Sequence, residues 1–312
     1  MRFQKSPSYF IQYAGLKAAC WALRALPYGA AVKVGRFATG AAAHLMKKRF
    51  ERNLSDIART FPQKTAQEVH QIATDSWRNM GQILAEFVKL SSYTKEEFNR
   101  RVCIRGIEKL RRAEQIHTGG IIHIGHFTNW EAFGLATSVA GLDKAVLAQR
   151  VDNPYVDKET NRLRNIFGGR TFYSNHDANP FFACARWLKR GKLIGILTDQ
   201  NVVASEIFMH FLGRPAAVSP ITALLAIRLQ VPVFPVVVTR ENGQLVCTVQ
   251  DPLLPPKEYS QEHIRAFVRE LTDIYEGWIR QNPENWLWAH HRWKREAEAA
   301  RWFTEHPECK IK

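Results

Sequence analysis

The 312-residue chain predicts an α/β fold, with a largely parallel sheet flanked by helices and a helical region in front of it. Three observations carry this expectation. From residue 119 onward, short β-branched or apolar runs alternate with helix-like segments, the pattern that parallel strands and their crossover helices impose. Up to about residue 92 the texture is different, and TAQEVHQIATDSWRNMGQILAEFVKL spaces its apolar residues three and four apart, as an amphipathic helix does. The composition, 46% hydrophobic and 23% charged, supplies a substantial core for one large domain or a main domain with a small appendage.

The first fifty residues hold nine Lys or Arg and no Asp or Glu, and the whole chain carries a net charge of +15. Such a balance favours an anionic partner. The longest uncharged run here, Ser6 to Leu16, is eleven residues, well short of the roughly 20 needed to cross a bilayer. The expectation is instead a helix lying in the membrane interface: Lys17 and Arg24 turn toward headgroups while Phe10, Tyr13, Leu16, Trp21 and Leu23 enter the apolar boundary. Packing of the same amphipathic helix on the protein's own core is the competing reading. No short apolar segment is followed by a convincing signal-peptide cleavage site. The expected organisation is a basic amphipathic region at 1–45, one domain at 46–298 and a tail at 299–312.

Beyond residue 119 the elements read in order as strand GGIIHIGH, helix WEAFGLATSVAG, strand KAVLAQR, helix VDKETNRLRNIFGG, strand RTFYS, helix NPFFACARWLKRGK, strand LIGILTDQ, helix PITALLAIRLQ, and strands VPVFPVVVTR and QLVCTVQ. Parallel sheets bind ligands beyond the carboxyl ends of their strands. His126, Arg150 and Asp199 each follow an apolar run at such an end, so a shared site is expected there. Neither a GxGxxG nor a P-loop pattern appears, and the five scattered cysteines form no CxxC pair.

In GGIIHIGHFTNWEAFG, His126 stands at a strand end and Glu131 in the first turn of the next helix. A carboxylate there can accept from one ring nitrogen and leave the other free as a base. TNWE equally fits a capping box, with Thr128 as N-cap and Glu131 reaching back to its amide; both readings stay open. His123 and His126, three apart on a strand, point to opposite faces, which disfavours a shared metal.

GHFTNWE resembles the H-x4-D/E motif of glycerolipid-type acyltransferases and, in its bacterial form, the lipid A late (lauroyl/myristoyl) acyltransferases. Further blocks follow in the same order: RVDNPYVD from Arg150, then Arg164 and Gly168–Gly169, LTDQ ending at Asp199 and Gln200, FLGRPAAVSPITALLAIRLQVPVFPV, and NPENWLWAHHRWK. The resemblance runs from about Lys47 to Lys294.

It implies acyl transfer from an acyl carrier protein thioester to a hydroxyl of a membrane glycolipid, a lipid A precursor, at the cytoplasmic face of the inner membrane by peripheral or monotopic attachment. His126 and Glu131 are the implied catalytic dyad; Arg150, Asn153, Arg164, Asp199 and Gln200 are the implied substrate-binding residues. The chemistry needs no metal and no cofactor, because a thiolate is a good leaving group. Acceptors such as a mannosylated or lysophospholipid-like lipid remain alternatives within this class. The partners expected are the acidic carrier protein and an anionic membrane surface. Nucleic acid is not among them, although nine tryptophans and eighteen phenylalanines accompany the basic residues, because no RNP-like or helix-turn-helix pattern is present.

Overall fold

The computed structural model describes residues 6–174, 180–203 and 205–307, so the ends of the predicted terminal regions, 1–5 and 308–312, lie outside the described residues. Four helices come first: α1 (Pro7–Ala25), α2 (Tyr28–Leu45), α3 (Lys47–Thr60) and α4 (Ala66–Leu90). The last begins at a complete capping box of Thr65 and Glu68. α2 lies against α4 at a crossing where only glycine fits, since a Cβ on Gly35 would stand 2.4 Å from the Gly81 carbonyl and one on Gly81 2.0 Å from that of Gly35. The predicted region at 1–45 is thus clamped to the rest of the chain and is not an appendage.

The remaining elements are α5 (Lys95–Asn99), β1 (Val102–Arg105), α6 (Ile107–Gln115), β2 (Gly120–Ile124), α7 (Trp130–Val139), β3 (Lys144–Ala148), α8 (Pro154–Arg164), β4 (Arg170–Tyr173), α9 (Pro180–Leu188) and β5 (Leu193–Ile196). After them come the hairpin β6 (Phe208–Phe211) and β7 (Arg214–Ala217), α10 (Ile221–Leu229), β8 (Val233–Glu241), β9 (Gln244–Val249), α11 (Gln261–Gln281), a 3-10 turn (Pro283–Asn285) and α12 (Glu296–Glu305). Seven strands form one sheet in the order β1-β9-β8-β2-β5-β3-β4. β8, β2, β5, β3 and β4 run parallel, whereas β9 is antiparallel to β8 and carries β1 beside it. The predicted mixed, largely parallel sheet with flanking helices is what the chain forms.

One face of the sheet packs Ile122, Ile124 and Leu193 against α4, α5, α6 and α7. The other packs Ile121, Ile194 and Ile196 against α9, α10 and α11. A third cluster gathers Trp278, Trp286, Trp288 and Trp293 around α3, α4, α11 and the β6–β7 hairpin. FLGRPA is a hairpin turn, with Leu212 and Gly213 at φ 52° and 81°, both in the left-handed region a type I′ turn requires.

Two expectations need correction. The 298/299 boundary falls inside α12, which packs on β6 and β7 and buries Ala299 and Phe303, so this segment is part of the fold. Lys17 keeps part of its side chain in solvent, but its ammonium is committed to Glu159 on α8 at 3.2 Å. Tyr13 and Leu16 are only half-buried, and Tyr13 packs against Tyr155. Of the expected set Phe10 and Trp21 do face outward, joined by Ile11 on α1 and by Val34, Phe37 and Leu45 on α2. Among the described residues no helix is long and apolar enough to cross a membrane.

Candidate active site

β2 and β5 are parallel neighbours with His123 level with Ile196. Continuing that register three residues beyond this pair sets His126 beside Asp199. The two side chains meet there: His126 Nδ1 is 2.8 Å from Asp199 Oδ1, and the His126 amide donates to Oδ2 at 2.9 Å. The Trp286 indole donates to the same Oδ2 at 2.8 Å. The approach is close at Gly125, where a Cβ would stand 3.0 Å from the Tyr275 ring and would require that ring to give by a few tenths of an ångström.

Asp199 is completely buried. Burial by itself would raise its carboxyl, but the facing His126 ring, the Trp286 indole and the His126 amide outweigh it and hold the group down at about 2. An ionised carboxylate only accepts, so the Nδ1 proton of His126 is directed to Asp199 and Nε2 is left as a bare lone pair. The imidazole retains 19% of its side-chain exposure and lines a cleft of about 670 Å³ at the carboxyl ends of the strands. Among the described residues Nε2 takes no hydrogen bond. Such a pair can act as a general base with its proton path open to the cleft.

The segment Asn282–His290 closes the site from behind. Thr128 donates its amide to the Asn285 carbonyl, Leu287 donates to that of His126, and Phe127 bridges to Trp286. These bonds hold Thr128 at φ 55°, a left-handed conformation that costs a β-branched residue about 1–3 kcal/mol. His290 accepts from the Asn201 amide, and burial together with the nearby His126 pushes its pKa down to about 4, so it is neutral.

The expected dyad partner is elsewhere. Glu131 lies in the first turn of α7, but Arg164 at the end of α8 grips its carboxylate, with Nε 3.0 Å from both oxygens and an η nitrogen 2.5 Å from one. That geometry commits Glu131 to Arg164 and leaves Asp199 on His126. Nor is Glu131 a cap: the N-cap of α7 is Asn129, not Thr128, and its side chain accepts from Ala132. Asn129 also donates to the buried Glu86, which Arg240 holds from β8, so the α7 start is tied to α4 and the sheet.

Of the other expected residues, Arg164 and Gln200 line the cleft. Arg164 is largely buried; burial lowers its pKa, yet Glu131 raises it more, so it remains cationic. Behind the pair sits Lys144, 3% exposed, whose pKa burial lowers to about 8 while Glu131 partly offsets the effect. Arg150 instead stacks on Tyr173 and approaches Asp157, outside the cleft lining. Asn153 caps α8, accepting from Tyr155 and Val156, and donates to the Tyr9 carbonyl and to Gln12, which makes it a joint between α8 and α1. His123 is a core residue, bonded to the Leu271 carbonyl and Tyr275, and burial drives its pKa down to about 4. Sequence reasoning missed Trp286 and His290 as site-forming residues. The NPENWLWAHHRWK block carried both, but only the fold brings that block onto the β5 end.

Comparison with known proteins adds the following. The model of the bacterial lipid A biosynthesis acyltransferase family matches residues 2–295. A curated relative, lipid A biosynthesis acyltransferase 2 of Shigella flexneri, is 22% identical over 260 residues, spanning 82% of this chain and 80% of that protein. A solved 1-acyl-sn-glycerophosphate (LPA) acyltransferase, PlsC of Thermotoga maritima, aligns at 13% identity and a TM-score of 0.38, over 80% of this chain and 98% of that one.

Proposed function

Because this chain belongs to the bacterial lipid A biosynthesis acyltransferase family, we propose that it moves a fatty acyl chain from an acyl carrier protein thioester to a hydroxyl of a lipid A precursor, with His126 as general base and Asp199 as its partner. The observation that carries this reading is the buried, ionised Asp199 on His126 Nδ1, which leaves Nε2 open to the cleft.

The acceptor hydroxyl is a weak nucleophile until its proton is taken. Nε2 removes that proton as the oxygen attacks the thioester carbonyl, and Asp199 stabilises the imidazolium that forms. The carbonyl π electrons move to oxygen, giving a tetrahedral oxyanion that needs a preorganised donor. Arg164 is a cation that lines the same cleft, with Glu131 fixing its plane. Collapse breaks the carbon–sulfur bond, and the departing thiolate takes the proton back from Nε2. The ester is formed and the base is regenerated.

Attachment to the cytoplasmic face of the inner membrane, without a spanning helix, is supported by the outward Phe10, Ile11, Trp21, Val34, Phe37 and Leu45 set among basic residues. The excess of positive charge also suits an acidic carrier protein. Mass spectrometry of lipid extracts from cells with and without the protein tests the assignment. One fatty acyl group should be missing from a lipid A-type glycolipid in the deficient cells. Unchanged glycolipid, with loss of an acyl group from a different lipid class, would reassign the acceptor.

A further inference from the structure

One side of α4 is a buried polar row. Ser76, Asn79, Glu86 and Lys89 are all buried, and their spacing of three, seven and three residues stacks them along one face of the helix. Polar groups in such a place have to be bonded, because leaving one unpaired is costly. Lys89 donates to the Arg24 and Leu26 carbonyls at the end of α1, at 2.9 and 2.7 Å. At the other end of the row Ser76 donates to the Trp286 carbonyl at 2.7 Å and Asn79 to that of Asn285 at 3.1 Å, in the segment that holds Thr128 and Asp199. Between these ends stands Glu86. Its Oε1 accepts from Gln82, Arg240 Nε and Tyr28 at 2.7, 3.2 and 3.4 Å, and its Oε2 from Asn129 at 2.8 Å and a second Arg240 nitrogen at 3.0 Å.

The bond to Asn129 is the one that reaches the catalytic groups. A carboxylate only accepts, so the Asn129 NH2 is turned to Glu86 and its oxygen to the Ala132 amide, 3.0 Å away. That oxygen caps α7. The turn it starts carries Trp130, whose ring meets the His126 imidazole edge-on with centroids 4.8 Å apart, and Glu131, which holds Arg164. His126, Trp130, Glu131 and Arg164 all line the cleft, whereas Glu86, Asn129 and Arg240 stand outside its lining.

We propose that Glu86 is a positioning residue for the transfer reaction: by fixing the Asn129 amide it sets the start of α7 and, through Trp130 and Glu131, the attitude of His126 and Arg164. The inference rests on the acyltransferase reading above, since those are the two groups that reading uses. Arg240 completes the device from β8, with two nitrogens on Glu86 and the third on the Asn79 side-chain oxygen at 2.9 Å. Glu86→Gln exposes the role without changing volume. With the new oxygen kept on Gln82 and Arg240 Nε, the new NH2 group faces the Asn129 NH2, donor against donor. Asn129 must then turn over, which points its NH2 at the Ala132 amide and ends the cap. Adding Asn129→Asp exchanges the roles: one carboxylate oxygen accepts from the new amide and the other from Ala132, and the pair again carries one negative charge.

The test is acyl transfer from acyl carrier protein to lipid acceptor by the full chain, with kcat and KM separated, read beside thermal melts and hydrogen exchange at the Ala132 amide. Glu86→Gln should lower kcat about 10- to 10²-fold with KM little changed, and should speed Ala132 exchange. Asn129→Asp alone, which sets two carboxylates face to face, should be at least as slow. The double variant should recover most of the lost kcat and the lost protection, which two independent structural lesions would not do. Should Glu86→Gln fail to fold, the decision passes to Asn129→Ser, which keeps a cap but loses the reach to Glu86 and should lower kcat with α7 intact. Wild-type kcat in a folded Glu86→Gln or Asn129→Ser protein, or defects that simply multiply in the double variant, would overturn the inference. A wild-type protein that transfers nothing, while the exchange rates still follow this pattern, would instead refute the proposed reaction and leave the tie from Glu86 to α7 standing.

Discussion

Replacing Asp199 by asparagine tests the catalytic assignment with little change of shape. The amide keeps an oxygen for the Trp286 indole, but its NH2 group now faces His126 Nδ1, where a carboxylate oxygen stood. The ring must then accept at Nδ1 and carry its proton on Nε2, the nitrogen that has to be bare. Asp199 is held near 2 against an ordinary 3.8, so its surroundings favour the ionised form by roughly 2–3 kcal/mol even after burial is overcome. If that coupling is returned to the imidazolium in the transition state, its loss slows transfer roughly 10²-fold; the added tautomer error extends the range toward about 10⁴-fold. The assay is transfer of a radiolabelled acyl group from acyl carrier protein to lipid acceptor, with KM and kcat separated and thermal melts alongside. The loss should fall on kcat. Glu131→Gln, which weakens the grip on Arg164 and leaves the His126 tautomer alone, should be milder. Near-normal turnover in Asp199→Asn together with collapse in Glu131→Gln would refute this reasoning and restore Glu131 as the partner of His126.

Three other outcomes are expected. Lys144 loses its proton near pH 8 in the native protein but only near 10.4 in the unfolded chain, so between those values the unfolded state binds more protons and stability rises with pH, by up to about 1.4 kcal/mol per unit; Lys144→Met should remove that slope in denaturant titrations at a series of pH values, and equal slopes would contradict the burial argument. Asn153→Ala should cost about 1 kcal/mol or somewhat more through the lost cap and the lost tie to α1, lowering the melting temperature with kcat unchanged; a fall in kcat would return Asn153 to the site. Trp21→Glu combined with Phe37→Glu should abolish flotation with anionic liposomes, whereas high salt should only weaken that of the wild type, since apolar burial survives screening; undiminished flotation of the double variant would place the attachment surface elsewhere.

Much of the fold was legible because strand and helix periods differ and the runs from Gly119 onward keep them cleanly. The hairpin β6–β7, the short β1 and the packing of α12 were not legible, since four-residue strands and a polar amphipathic helix give weak local signals. Among site residues, His126 was readable from its place after an apolar strand. Its partner was misread because sequence distance favoured Glu131, five residues away, over Asp199, 73 residues away. The order of strands reverses that preference: β5 lies directly beside β2, and their register sets Asp199 level with His126. Glu131 meanwhile finds a cation on α8 that no local pattern announces. Asn153 was expected as a substrate contact through the matched block with Arg150, and an Asn before Pro154 is also what begins a helix, which is where the structure puts it.

The central claim is that His126 Nε2 removes the acceptor proton. Its most direct test is single-turnover acyl transfer by purified His126→Ala in liposomes containing the lipid acceptor, at saturating acyl carrier donor and with a melt to verify folding. The account predicts a rate lower by at least about 10²-fold with donor binding retained, because the substitution removes the proton acceptor and leaves the rest of the cleft lining in place. A folded His126→Ala protein that transfers at the wild-type rate would contradict it.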